Sequence, residues 1–289
     1  VVADGREGFA HAATFDPDVL ADTLADARDN ASFATPDPHV GLAEPDGVVV
    51  PDIDLFRPSL LAVPTEHKVE AALALEAAVK DADPRISGVD SAEFVDAMGE
   101  GCVASTTGIR SESSSTACYV AVSCLATEDD LTQTGFGFSV GRELDDLVPD
   151  DAVTDAVRRA TRLLGATKPA STRTTIVLDP YVTAQVIGIV GATLSGEAVT
   201  KGRSPFADRL GDEVASPLVT LVDDPTNPLA YTASATDGEG LASRRNPLIT
   251  DGVLQRFVHN ARSARRAGTT STGNAVRGGF KSTPGAGCR

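Results

Sequence analysis

Three stretches of this chain carry side chains suited to chemistry: Asp223-Asp224 ahead of Pro225, the run Asp237-Gly238-Glu239-Gly240, and the segment Ser271-Thr272-Gly273-Asn274-Ala275-Val276-Arg277. Paired carboxylates at strand ends are usable for divalent-ion or acid–base work. Asp-Asp-Pro and Asp-Gly are also turn formers, and a chain this acidic places such pairs in many loops. In the third segment Gly273 lets the backbone approach a ligand, and the Arg277 guanidinium can fork onto a carboxylate. The same seven residues read equally well as a polar loop.

Other chemistries lack support. The histidines are His11, His39, His67 and His259, none three or four residues from another, and no HExxH arrangement occurs. Each is expected to be structural or exposed. The serine run Ser113 to Ser115 lacks a G-x-S-x-G setting, and neither GxGxxG nor GxxxxGK[ST] is present. The four cysteines, Cys102, Cys118, Cys124 and Cys288, form no close CxxC pair. They are expected to be free buried thiols in a reducing compartment.

The elements that must position these residues follow from periodicity. Residues 16–34 read as a helix, with Asp16 as cap, Pro17 in the first turn, and Val19, Leu20, Leu24 and Ala27 on one face. Segment 35–64 is rich in Pro, Asp and Gly and reads as an irregular excursion. A second helix is expected over 65–81, capped by Thr65. From 85 to about 141 short alternating stretches predict an antiparallel sheet with turns near 107–112 and 127–131. A helix over 149–165 follows, stopped by Gly165.

Beyond the linker-like TKPASTRT, Thr175 to Leu178 reads as a strand, and a helix is expected near 180–194 with Val182, Val186, Ile189 and Val190 as its apolar face. Residues 215–225 predict a strand into an acidic turn, and 251–268 a hairpin or strand leading to a short helix. The glycine-rich tail has almost no apolar periodicity. The expected fold class is α+β: an N-terminal domain with an antiparallel sheet over 1–165, and part of a mainly β C-terminal domain with helices over 175–289.

Composition narrows the partners. The chain has 289 residues, 42% hydrophobic, enough for a sizeable core. Its 41 acidic residues against 25 basic give a net charge of -16, which disfavours direct contact with nucleic acid. The Arg158/Arg159/Arg162 and Arg262/Arg265/Arg266 groups are too small to reverse that field. The acidic set is 28 Asp to 13 Glu and the basic set 20 Arg to 5 Lys, a balance like that of proteins from salty cytoplasm. No stretch reads as a membrane span or a secretory leader, so a cytoplasmic location is expected.

Taken in order, DGREGFAHAATFDPDVLADTLADARDNA at the start, LVDDP at 221–225, DGEG at 237–240, LITDGVL at 248–254, ARSARRAG at 261–268 and STGNAVR at 271–277 give the chain a resemblance to the TldD/PmbA family, on its PmbA-like (TldE-like) side. In that family the TldD-like subunit resembles a zinc metalloprotease with HExxxH on a helix. Counting back from Lys201-Gly202 puts those positions at Ile187, Gly188 and Ala192. An aliphatic side chain has no lone pair for zinc, and glycine cannot activate a water. The resemblance therefore implies a subunit with no catalytic residues, no metal ligands and no cofactor. Its expected partner is a TldD-like zinc protease, the pair degrading or processing unfolded or short peptides. The alternative is a standalone, non-enzymatic peptide-binding or structural homodimer. Asp237, Glu239, Ser271, Thr272, Gly273, Asn274 and Arg277 are the expected peptide contacts, with Arg277 taking a carboxylate end. The resemblance also implies more chain at both ends, as in the family's longer members.

Overall fold

The computed structural model describes residues 1–289. In chain order the elements are β1 (Val2–Ala3), β2 (Arg6–Glu7), α1 (Pro17–Phe33), α2 (Pro58–Leu61), α3 (Thr65–Ala82), β3 (Ile86–Ala104), β4 (Arg110–Glu128), β5 (Leu131–Gly141), α4 (Pro149–Thr161), α5 (Pro180–Thr193), α6 (Gly196–Thr200), β6 (Leu221–Asp223), β7 (Asn246–Thr250), β8 (Val253–Leu254), α7 (Ala261–Ala267), β9 (Ala275–Val276) and β10 (Gly285–Ala286). The architecture is mixed α+β, and no helix is long and apolar enough to cross a membrane.

Two compact units interleave along the sequence: one holds Val1–Ile53, Cys102–Ser113 and Val177–Arg289, the other Asp54–Gly101 and Ser114–Ile176. One junction between the two units falls at Ile176/Val177. Residues 1–53 and 102–113, read from sequence as part of the N-terminal domain, group instead with the C-terminal part.

In the unit built on Asp54–Gly101 and Ser114–Ile176, β3, β4 and β5 form a three-stranded sheet in that order. Period-two alternation sends Cys118, Val120, Val122, Cys124 and Ala126 of β4 to a buried face. Helices α3 and α4 cover that face through Leu75, Val79, Ala152, Ala156 and Ala160. The helix approaches the strand so closely that only glycine fits opposite it. A Cβ on Gly137 would stand 1.9 Å from the Ala152 carbonyl, and one on Gly135 2.1 Å from that of Ala156. Each fully buried Val or Leu here contributes about 1.5–3 kcal/mol.

The other unit has a core of Leu194, Leu248, Ile249, Leu254 and Val258 around the sheet β6-β7-β8. Strands β7 and β8 meet at Asp251-Gly252, both at positive φ (49° and 81°), the geometry of a two-residue hairpin turn. A second such turn, Asp4-Gly5 with φ of 50° and 69°, joins β1 to β2. Helix α1 lies against this hairpin, and Gly8 makes the approach possible: a Cβ there would be 1.9 Å from the Ala27 carbonyl.

Several sequence expectations are corrected. Asp16 caps α1 through Asp18 and Val19 N–H groups, as expected, but Val19, Leu20 and Leu24 are exposed and the buried residues are Ala27 and Ala31. Thr65 is the first helical residue of α3 and its cap position is Pro64, without a side-chain bond. Thr175 to Leu178 form no strand. Helix α5 forms where expected, yet Val182, Val186 and Ile189 stand exposed, Ile189 at 68%. Of that face only Val190 reaches the core.

Candidate functional site

Asp237 opens a turn whose geometry it sets itself. Its Oδ1 accepts from the N–H groups of Glu239 (2.9 Å) and Leu241 (3.0 Å), and its Oδ2 from that of Ala275 (3.0 Å). Gly240 completes the turn at φ 83°, pressed against Ile109. Burial pushes the Asp237 carboxyl above its ordinary range, although three N–H donors pull the other way. Both carboxylate oxygens are spent on backbone, so Asp237 shapes the site rather than offering itself to a ligand.

The Ser271–Arg277 segment is likewise turned inward over most of its length. Asn274 is 0% exposed, and its Nδ2 donates to Asp223 Oδ2 at 2.6 Å and to the Gly287 carbonyl at 3.1 Å. Its Oδ1 accepts from Asn246 Nδ2 (2.9 Å) and Thr272 Oγ1 (2.7 Å). Thr272 Oγ1 also accepts from the His259 N–H at 2.7 Å, and Ser271 Oγ donates to the His259 carbonyl at 3.2 Å. Gly273 sits at φ 72°, where a Cβ would meet the Ala242 carbonyl at 2.4 Å. The motif closes a buried polar network, and such networks fix a unique backbone when every group is satisfied. Of the seven sequence candidates, Glu239 and Arg277 line one cavity together.

That cavity holds about 440 Å³ and belongs wholly to the unit containing residues 177–289. Phe9, Leu24, Leu42 and Ile109 supply apolar wall, while Glu239, Asn260, Arg262 and Arg277 supply polar wall. The positions come from capping and turn chemistry. Glu239 Oε2 accepts the Ala261 N–H at 2.9 Å, and Asn260 closes a capping box with Ser263 at the start of α7. Arg262 pairs with Asp37 at 2.7 Å and Glu7 at 3.6 Å. Arg277 donates Nε to Gly238 O and Nη1 to Ser282 O, both at 2.7 Å. The guanidinium expected to be available to a ligand is thus partly committed to backbone carbonyls. Burial, with Asp237 adding repulsion, raises Glu239 to about 7 against the pull of the Ala261 N–H, Arg265 and Arg277.

The sequence singled out Glu239 and Arg277 but missed Phe9, Leu24, Leu42, Ile109, Asn260 and Arg262. Asn260 carried a usable signal, a cap residue ahead of ARSARRAG. The apolar wall carried none, since it is assembled from three distant stretches.

The remaining candidates have structural partners. Asp223 is buried, accepting from Asn274 and from the Arg289 N–H at 2.7 Å, and Asp224 makes a local turn with Thr226. His259 is buried, and desolvation lowers its pKa, which keeps the imidazole neutral. All four cysteines are free. Cys118 and Cys124 are buried as expected, whereas Cys102 is exposed and Cys288 half-buried, its thiol pushed up to about 12 by burial. Ile187, Gly188 and Ala192 all fall on α5. None has a donor atom, and no three His, Cys, Asp or Glu side chains converge in an arrangement able to hold a metal ion. The residues of this chain therefore do not fit a zinc-peptidase centre.

Residues 58–164 match the PmbA/TldA metallopeptidase central domain, and residues 171–289 match the PmbA/TldA metallopeptidase C-terminal domain. Metalloprotease PmbA of Escherichia coli O157:H7 is 26% identical over 278 residues, covering 95% of this chain and 61% of its own. A metalloprotease TldD homolog of Haemophilus influenzae is 38% identical over 95 residues, 33% of this chain and 20% of its own. Among solved structures, TldE from Thermococcus kodakarensis superposes with a TM-score of 0.83 at 23% identity, covering 99% of this chain and 65% of that one. The chain thus spans less than two thirds of these relatives' lengths.

Proposed function

The chain belongs to the PmbA/TldD metallopeptidase family, and from that premise we propose that it is a non-catalytic, peptide-binding subunit working in the cytoplasm beside a metal-bearing TldD-like peptidase. The observation that carries this reading is that Ile187, Gly188 and Ala192 on α5 have no side-chain donor atom, where the family resemblance would put a metal-binding histidine, a general-base glutamate and a second histidine. The cavity supports the binding half of the proposal. Its apolar wall accepts side chains, and Glu239 and Arg277 stand in its polar wall.

Co-purification with a TldD-like peptidase from the same genome, followed by peptide-cleavage assays of each chain and of the pair, tests the proposal. Cleavage that requires the other chain, and that is strengthened by this one, is the expected result. Cleavage by this chain alone, abolished by chelator, would overturn it.

A further inference from the structure

Resting on the peptide-binding reading, the polar groups of the cavity distinguish one end of the ligand from the other. Arg262 is held by Asp37 and Glu7, and Arg277 spends Nε and Nη1 on backbone carbonyls. Asn260 donates to the Pro284 carbonyl and accepts from the Ser263 N–H. Glu239 differs from all three. Its Oε2 takes one backbone N–H, while Oε1 accepts nothing from the protein and lies in no ion pair. Nor is Oε1 among the sealed, unpartnered polar atoms, which are Arg6 Nε and Ser243 Oγ, so it remains reachable. A half-buried carboxylate with one open oxygen beside aliphatic and aromatic wall is matched by a cation attached to an apolar group.

We propose that the cavity receives the free amino terminus of a peptide whose first residue is apolar, with the ammonium on Glu239 and the first side chain against Phe9, Leu24, Leu42 and Ile109. A terminal ammonium is matched by the open Glu239 oxygen, whereas a terminal carboxylate would find Nε and Nη1 of Arg277 already spent on Gly238 O and Ser282 O and only Nη2 left to it. The charged and titratable groups around Glu239 are Asp237, Arg265 and Arg277, with Glu7, Arg262 and Val1, whose terminal ammonium donates to Gly8 O, lining the same cavity. None of the basic groups pairs with Glu239, and Arg262 already has two carboxylate partners.

The ion pair needs Glu239 ionised and the peptide amine protonated. Glu239 loses its proton near 7, and a free α-amino group near about 8. Affinity is therefore expected to follow a bell centred between those values, falling at pH 6 and at pH 9.

The test is calorimetric titration of the protein with leucyl-alanyl-alanine amide, its N-acetyl derivative, and N-acetyl-leucyl-alanyl-alanine with a free carboxylate, at pH 6, 7.5 and 9. The free-amine amide is expected to bind best at pH 7.5, and acetylation to weaken it tenfold or more. Glu239→Gln, which keeps an acceptor for the Ala261 N–H, is expected to remove the preference for the free amine. Equal binding of the amine and its acetylated form would overturn this assignment and leave the peptide-binding reading standing. Tighter binding of the acetylated free acid would reverse the polarity in favour of Arg277. Failure of all three peptides to bind would remove the peptide-binding reading itself, and the assignment with it.

Discussion

A Cβ placed on Gly196 would stand 2.0 Å from Nδ1 of His259. The first residue of α6 thus lies directly on a buried imidazole, and the Gly196 N–H donates to the Val258 carbonyl at 2.7 Å. Gly196→Ala is expected to destabilise the protein by about 1–3 kcal/mol, as overpacking does. Urea denaturation of Gly196→Ala, His259→Ala and the double variant checks the cause. The double variant should recover part of the loss, giving a positive coupling between neighbours. Simple additivity would show that the contact is not what excludes a side chain there.

Asn274 joins four partners at 0% exposure. Asn274→Ala leaves the Asp223 carboxylate and the Asn246 and Thr272 donors short of a partner, at a cost of about 1–3 kcal/mol for each buried group stranded. Thermal denaturation should show one of the largest drops of any polar-to-alanine change in this unit. Arg277→Ala, exposed at the same motif's end, should change stability far less.

Asp37 ties α7 to the segment after α1. Its Oδ2 accepts from Arg262 and from Arg266, each at 2.7 Å, and its Oδ1 from the His39 N–H at 3.0 Å. The His39 N–H and the two guanidinium groups hold the carboxyl down at about 2. A depressed acid contributes stability that is present above its unfolded value of 3.8 and lost as pH falls toward 2. Asp37→Asn should cost about 1 kcal/mol near neutrality and flatten that part of the acid limb in denaturant titrations from pH 5 to pH 2.

Glu239 has the opposite sign. Its carboxyl is raised from 4.5 to about 7, so the folded chain holds a proton that the unfolded chain releases. The resulting stability is complete below 4.5 and fades as pH climbs through 7. Glu239→Gln should lack this decline, so that its stability relative to the parent improves between pH 5 and pH 8. A parallel decline in both proteins would show that other groups control the neutral limb.

Local chemistry was the legible part of this molecule. Asp16-Pro17 announced α1, Asp251-Gly252 carries the local signal of a two-residue hairpin turn, and Gly268 at φ 66° ends α7 as a glycine after a basic last turn should. Asp4-Gly5 offered the same signal, but its flanking strands are two residues long and show no alternation. Burial was harder to read. Leu20 and Leu24 on α1 and Ile189 on α5 have helical spacing without being core. Periodicity reports which residues share a face, and tertiary packing decides whether that face is covered. The Ser271–Arg277 segment misled for a related reason. Its polar side chains suit a ligand loop, and equally suit an internal network once Asp223 and Asn246 lie beside it, which no local pattern discloses.

The cavity draws Ile109 from one stretch of chain and Glu239 from another, with Ser114–Ile176 of the second unit threaded between them. Cutting the gene near codon 170 would therefore yield a C-terminal fragment with the charged wall and no Ile109, Leu42 or Phe9 to face it. Any dissection meant to isolate this pocket must carry the polypeptide through Ile109 along, so binding and domain boundaries cannot be mapped by serial truncation here.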